Sequence, residues 1–195
     1  MANSTVAEIS TAVAAITGLL RWSPSLATAL PTNSTTALAS AYVNLGYVGE
    51  DGVAPAREIS LDPVRDSNGA KLLDIQTEFS KTYTATLLQV RNPDLNKAIF
   101  GASNVTTTAA DATFGNRLAV IDVGLLSTPG ILVLDSRYGA GRHRRVMPYV
   151  QITSVEEAAL VGRSVRSFAI TFSLSPDPAT GAYDFLYDDD GLISA

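Results

Sequence analysis

The chain has 195 residues, 19 acidic against 14 basic side chains for a formal net charge of −5, no cysteine and a single histidine. That length fits one domain, residues 1–195, able to bury roughly 70% of its unfolded surface without a covalent staple. The composition excludes disulfides and thiolate metal sites, leaves one imidazole for acid–base work, and lacks the basic balance of a general nucleic-acid binder. The start, MANSTVAEIS, has no basic region, and no apolar run approaches the ~18 residues of a membrane span, so the expectation is a soluble protein made in the cytoplasm.

Val6, Ile9, Val13 and Ile16 suit one helical face, whereas Ile16 to Trp22 reads more like strand; periodicity alone slightly favours helix. Pro24 and Pro31 mark a loop. Ser34 or Thr35 could cap a short helix carrying Leu38, Tyr42 and Val43 and closed by Gly46. Leu45 to Val53 is a glycine-rich run of turn residues, with Gly46, Gly49 and Gly52. Arg57 to Asp66 alternates through Ile59 and Leu61, and Pro63 marks it as an edge or bulged strand. Asp66-Ser67-Asn68-Gly69 is a turn.

A long alternating strand follows. Leu73, Ile75, Phe79, Tyr83, Ala85 and Leu87 fall on one parity, and Asp74, Gln76, Glu78, Ser80, Thr82, Thr84 and Thr86 on the other. Twenty residues without Gly or Pro would rise about 66 Å, too far for a small domain, so a bend or bulge is expected around Glu78 to Ser80. The strand feeds a helix punctuated at both ends, with Asn92 as N-cap, Pro93 in the first turn, Asp94 at the positive end and Gly101 as the stop. Leu95, Ile99 and Phe100 form its buried face.

Asn104 to Ala110 reads as a threonine-rich strand. Leu118 to Val123 and Ile131 to Leu134 are nearly continuous apolar runs that imply burial on both faces. Tyr138 to Gly141 turns the chain into a strand over Arg142 to Val155. Val165 to Leu174 alternates most cleanly, with Phe168, Ile170, Phe172 and Leu174 inward. Pro176 to Gly181 is a loop that returns Tyr183, Phe185 and Tyr187, and the last three strands read as an antiparallel meander. The class is mainly β, an antiparallel sandwich or barrel flanked by a helix, with extended loops and arms and no internal repeat.

Chemistry is sparse. His143 lies among Arg142, Arg144 and Arg145, which oppose its protonation, and reads as an exposed strand residue. Asp188-Asp189-Asp190 is too contiguous for paired-carboxylate catalysis and reads as a solvated tail rather than a calcium site. Gly139-Ala140-Gly141 lacks the rest of a phosphate loop and reads as a hairpin turn. The three arginines read first as a charged strand end and second as intersubunit ion-pair partners, and Trp22 as packing. No catalytic, cofactor-binding or metal-binding residue is assigned, no cofactor is implied, and the chain is read as a non-enzyme.

Four segments taken in order carry a resemblance: Thr17-Gly18-Leu19-Leu20-Arg21-Trp22-Ser23-Pro24; Leu30-Pro31-Thr32 through Leu45-Gly46-Tyr47-Val48-Gly49-Glu50-Asp51-Gly52-Val53; Leu87-Leu88-Gln89 through Asn92-Pro93-Asp94 to Phe100-Gly101; and Arg144-Arg145-Val146-Met147-Pro148, followed by an acidic, aromatic C-terminus. Over essentially its whole length the chain resembles the major tail (tail tube) proteins of long-tailed, siphovirus-type bacteriophages, especially those infecting actinobacteria. The resemblance implies a virion structural protein, a β-sandwich or barrel flanked by a helix, forming hexameric rings that stack into a tail tube. It also implies a strand rather than a helix over Ala12 to Trp22, an N-terminal arm over roughly 1–12 and a C-terminal tail over roughly 188–195. The implied partners are further copies of the chain, a tape-measure protein in the lumen, tail terminator and distal tail proteins, and double-stranded DNA passing without specific binding during genome ejection. The implied location is the virion tail, after synthesis in the bacterial host cytoplasm.

On that reading six copies at −5 each carry −30, and an inward share would repel phosphate within about 8 Å at physiological salt. Among Asp62, Asp66, Asp74, Glu78, Asp122 and Asp135, the expected lumen-lining residues are Asp74 and Glu78, on the polar face of the long strand. Assembly contacts are expected from Gly46, Tyr47, Gly49, Glu50, Asp51 and Gly52, from Asp66 and Asn68 in the turn, and from Arg142, Arg144 and Arg145, together with the termini. The competing readings are a phage head decoration or host-adhesion β-sandwich module and, more distantly, a hydrolase.

Overall fold

A computed structural model describes residues 13–14, 18–162 and 164–191. The expected arm over 1–12 and the end of the expected tail, 192–195, lie outside the described residues. The strands are β1 (Val13–Ala14), β2 (Leu20–Ser23), β3 (Val43–Asn44), β4 (Val48–Arg65), β5 (Lys71–Leu87), β6 (Val105–Thr108), β7 (Arg117–Val120), β8 (Gly130–Tyr138), β9 (Gly141–Glu157), β10 (Phe168–Leu174) and β11 (Phe185–Asp189). One helix, α1 (Pro93–Phe100), is followed by a single 3-10 turn. The protein is mainly β, with antiparallel sheets and one helix in a β-sandwich.

The main sheet runs β3-β2-β8-β9-β10-β5-β4, with β1 added to β8 and β11 to β9. Every pairing is antiparallel. The sheet folds over along β9. Residues 142–146 of that strand pair with β8 and β11, residues 150–157 pair with β10, and the register against β8 slips between Gly130/Val150 and Leu132/Met147. A slip of this kind bends a strand and lets its two halves serve two layers. The core then joins Leu20, Trp22, Leu132 and Met147 of one layer to Tyr83, Leu87, Ile152, Phe168, Ile170 and Phe172 of the other. A smaller cluster, Tyr42, Ile131, Val133 and Val146, lies on the far face of the first layer under Phe185 and Tyr187. Ile131 to Val133 is therefore buried on both faces, as its unbroken apolar run implies.

A polar pin ties the layers together. Asp184, just before β11, accepts from Lys81 Nζ at 2.6 Å and from Tyr83 Oη at 3.0 Å, both on β5. Arg145 on β9 donates to Tyr83 Oη at 2.7 Å. Burial raises the Tyr83 phenol pKa, so it holds its proton as a donor to Asp184.

α1 forms where its local signals place it. Asn92 Oδ1 accepts from Asp94 N at 2.9 Å, Pro93 occupies the first turn, and Gly101 ends the helix at φ +89 with its N–H on Lys97 O. Leu95, Ala98 and Ile99 face the core, and buried Asn96 donates to the Val90 and Asn92 carbonyls. Asn92 Nδ2 also donates to Asn44 O on β3, so one side chain caps the helix and fastens it to the sheet. Asn92→Ala is expected to lower stability by about 1 kcal/mol as a lost cap. Urea unfolding midpoints check this, and Asn92→Asp, which keeps the acceptor and loses the Asn44 contact, is expected to fall between variant and wild type.

Four expectations are corrected. No helix forms over 34–43: Asn33 Oδ1 accepts the Thr35 and Thr36 N–H groups, and Arg144 holds the Asn33 and Thr36 carbonyls that a helix would need. Leu45 to Val53 is not simply a loop, because β4 begins at Val48 and carries residues 49–52 as a wide bulge between the Val48–Leu87 and Val53–Ala85 pairs. Leu118 to Val123 is not buried on both faces. Among the described residues β7, which ends at Val120, pairs with β6 alone and is touched by α1, and Ile121 and Val123 are exposed. The last three strands are not a meander, since β11 crosses to the first half of β9 instead of pairing with β10. For Ala12 to Trp22, the described parts are strand at β1 and β2; residues 15–17 lie outside the description.

Candidate functional site

β10 pairs with β5 only from Thr82 to Leu87, so Lys71–Lys81 and the facing part of β4 run on as a two-stranded ribbon roughly 35 Å long. Asp66 Oδ1 closes its tip by accepting from Asn68 N and Ala70 N, with Gly69 at φ +83. The tip is the turn that the Asp66-Ser67-Asn68-Gly69 run predicts.

The ribbon contains the expected bulge, one residue before the expected place. Ser60 pairs with Glu78 and Leu61 with Gln76, leaving Thr77 unpaired, its hydroxyl donating to Ser60 O. One extra residue transfers everything beyond it to the opposite face. Asp74 pairs with Pro63 and Glu78 with Ser60, three residues apart on one continuous strand, so these two carboxylates point to opposite sides. The expectation that they share one polar face is corrected by this register. Asp74 lies on the side of Arg57, Arg65, Lys71 and Lys81 and pairs with Lys71 at 2.7 Å.

The side that keeps Glu78 is chemically distinctive. Across β4, β5, β10 and β9 its rows read Ala56-Thr82-Ser173-Gln151 and Ala54-Thr84-Thr171-Ser154, with Thr86-Ala169-Glu156 beyond them. Its charged members, Glu58, Asp62, Glu78 and Glu156, are all acidic, and no Lys or Arg occupies a paired position on it among the described residues. The bulge at 49–52 brings Asp51 over the same surface, where Asp51, Thr84, Thr86, Ser154, Glu156 and Thr171 line an open trough of about 340 Å³. The result is a four-stranded wall of small hydroxyl and methyl groups edged with carboxylates. Of the wall's acidic residues the sequence singled out Glu78, and Asp51 only as an assembly residue. Glu58 and Glu156 were missed, although the even parity of Ala54, Ala56, Glu58, Ser60 and Asp62 already carried the signal.

The assembly candidates divide. Tyr47 is 72% exposed, and Glu50, Asp51 and Asn68 are exposed. Gly46, at φ +106, lies against Gln89, where a Cβ would come within 2.7 Å of Oε1, and Gly49 packs beside Thr86. Those two glycines thus have work inside the subunit, while Gly52 has open space on its Cβ side. Asp66 holds its own turn. Arg144 is 3% exposed and engaged with Asp135, and Arg145 joins the Asp184 pin. Among the described residues Arg142 donates to the Thr35 carbonyl at 3.4 Å. Of the remaining carboxylates considered for the lumen, Asp135 is taken up by Arg144, and Asp122 accepts from Gly124 N on an outer loop.

His143 is partly covered, its Nδ1 3.8 Å from Asp188 Oδ2. Among the described residues no group of three His, Asp or Glu side chains could hold a metal ion, and no helix is long and apolar enough to cross a membrane. The fold and this surface define a mainly β sandwich carrying an acidic, hydroxyl-rich wall and a projecting ribbon. No family model matches the chain, and no curated protein matches it.

Proposed function

We propose that the protein is a structural subunit of a phage tail tube, in which six copies close into a ring and stacked rings enclose a conduit for double-stranded DNA. The observation that carries this reading is the four-stranded wall, which joins uncharged hydroxyl and methyl rows to carboxylates without a cation. Such a surface offers phosphate neutral hydroxyl donors but no cation, and its carboxylates repel it at close range, so a polyanion can move along it without adhering. In this reading Glu58, Glu78 and Glu156 face the lumen and Asp74 does not. The tape-measure protein occupies the lumen until ejection, and terminator and distal tail proteins close the two ends.

The ribbon supports the same reading. A two-stranded ribbon is marginal in isolation, and this one is covered only at its base, by Tyr183 on Phe79 and Asp184 on Lys81, and exposes Leu61, Leu72, Leu73 and Ile75. The outer edge of β4 is also unpaired among the described residues, which suits addition of a neighbouring strand. Amide hydrogen exchange compared between dilute protein and concentrated, assembled protein tests this. Slowing of at least about tenfold is expected across 57–76, with little change in the core strand β8. Equal exchange in the ribbon before and after assembly would remove it from the interface.

A further inference from the structure

A second exposed apolar surface lies at the other end of the molecule. The loop between β7 and β8 presents Ile121, Val123, Leu125 and Leu126, and the loop between β9 and β10 presents Leu160 and Val161. Asp122 of the first loop and Arg166 of the second line a groove of about 660 Å³ beside α1 with Val120, Glu157 and Phe168, and the six exposed apolar side chains stand outside that lining. This is the end of the sheet where Leu87, Phe168 and Glu157 pair, whereas the ribbon tip lies at the opposite end of β5. Seventeen strand residues separate them, about 55 Å. Within one chain the two surfaces cannot meet.

We infer that the apolar ribbon of one copy seats on the paired loops of another, so that the interface is heterologous, ribbon to loops, rather than a two-fold contact. Three observations favour a second copy as the occupant. Each surface gathers several exposed apolar side chains, Leu61, Leu72, Leu73 and Ile75 on the ribbon and the six loop residues on the other, where a monomer normally scatters them singly. Charge is complementary: among the described residues Arg65 at the ribbon tip donates to Gly69 O and meets no carboxylate, and Asp122 in the loop surface accepts from Gly124 N and meets no cation. Placement at opposite ends means a pair of copies keeps one unused surface of each kind, so association continues to a closed ring or an open stack. Here the inference rests on the tube reading only in taking the assembly to be built from this chain alone.

The absence of cysteine makes the test clean. Leu73 is 53% and Leu125 79% exposed, so Leu73→Cys and Leu125→Cys are expected to fold with melting temperatures near wild type. With a short bismaleimide, an equimolar mixture of the two variants is expected to give a cross-linked dimer, each variant alone none, and the doubly substituted chain a ladder of higher oligomers. Leu125→Asp is expected to raise the protein concentration needed for assembly roughly tenfold or more. A dimer from Leu73→Cys alone, or no cross-link from the mixture at concentrations where the protein sediments as an oligomer, would overturn the inference. A ladder without hollow rods in the microscope keeps the ribbon-to-loop contact and removes the tube. Hollow rods without the mixed cross-link do the reverse.

Discussion

Tubes assembled from a Glu58→Lys, Glu78→Lys, Glu156→Lys variant are expected to retain linear duplex DNA, and wild-type tubes are not. Each substitution changes the charge by +2, so three move the subunit from −5 to +1, and the change falls on one wall. Lysines on that wall would replace phosphate repulsion with counterion release. A duplex held through six to ten phosphates then loses roughly three to five orders of magnitude in affinity between 50 and 200 mM salt. Closed circular DNA provides the control for location, because it cannot thread a lumen. Retention of linear duplex with rejection of circles supports an inward wall, and equal retention of both places the wall on the outside of the assembly. Asp74→Lys, on the opposite side of the ribbon, is expected to leave retention of linear duplex unchanged.

Arg144→Met is expected to destabilise the subunit by about 3–5 kcal/mol, the usual consequence of removing one partner of a buried ion pair. Arg144 Nη2 lies 2.9 Å from Asp135 Oδ2, and Nη1 donates to the Asn33 and Thr36 carbonyls at 3.0 and 2.7 Å. Without it a largely buried carboxylate loses its cation and the 33–36 loop loses its anchor to β9. For a chain of this length the melting temperature would fall by roughly 6–20 °C. The double variant Arg144→Met, Asp135→Leu is expected to recover part of the loss, since it no longer buries an uncompensated charge. Calorimetry on the four proteins gives the coupling directly. A loss under about 1 kcal/mol for the single variant would show that Arg144 is free for the intersubunit role its sequence neighbourhood suggests.

Readability from sequence followed the range of the signal. α1 was legible because Asn92, Pro93, Asp94 and Gly101 act within one or two turns of the backbone they satisfy. The inward set Phe168, Ile170, Phe172 and Leu174 was legible because a strand covered on one face alternates without interruption. The turn at Asp66 to Gly69 was legible because an Asx side chain and a left-handed glycine make it locally. What failed depended on distant partners. Asn33 and Arg144, 111 residues apart, decide that 34–43 is not helical. Leu118 to Val123 has the composition of a buried strand, but among the described residues β7 pairs with β6 alone.

The wall was half legible, and the missing half was a register. Parity counted along β5 alone sets Asp74 beside Glu78. Thr77 breaks that count, and nothing in Gln76-Thr77-Glu78 marks it as the bulge. Only pairing with β4 reveals that Glu78 shares a face with Glu58 and Glu156 while Asp74 joins Lys71 and Arg65. Charge segregation between the two faces thus arises from one inserted residue. Were Thr77 paired in register with Leu61 instead of bulged, Asp74 and Gln76 would fall on the acidic side and Leu73 and Ile75 off it.

The central claim is that this chain builds a hollow tube, and negative-stain electron microscopy of the purified protein at high concentration tests it most directly. Stacked rings of six with a central hole are the predicted result. Particles that stay monomeric or stop at two-fold dimers at concentrations where the ribbon surfaces should be occupied would contradict it.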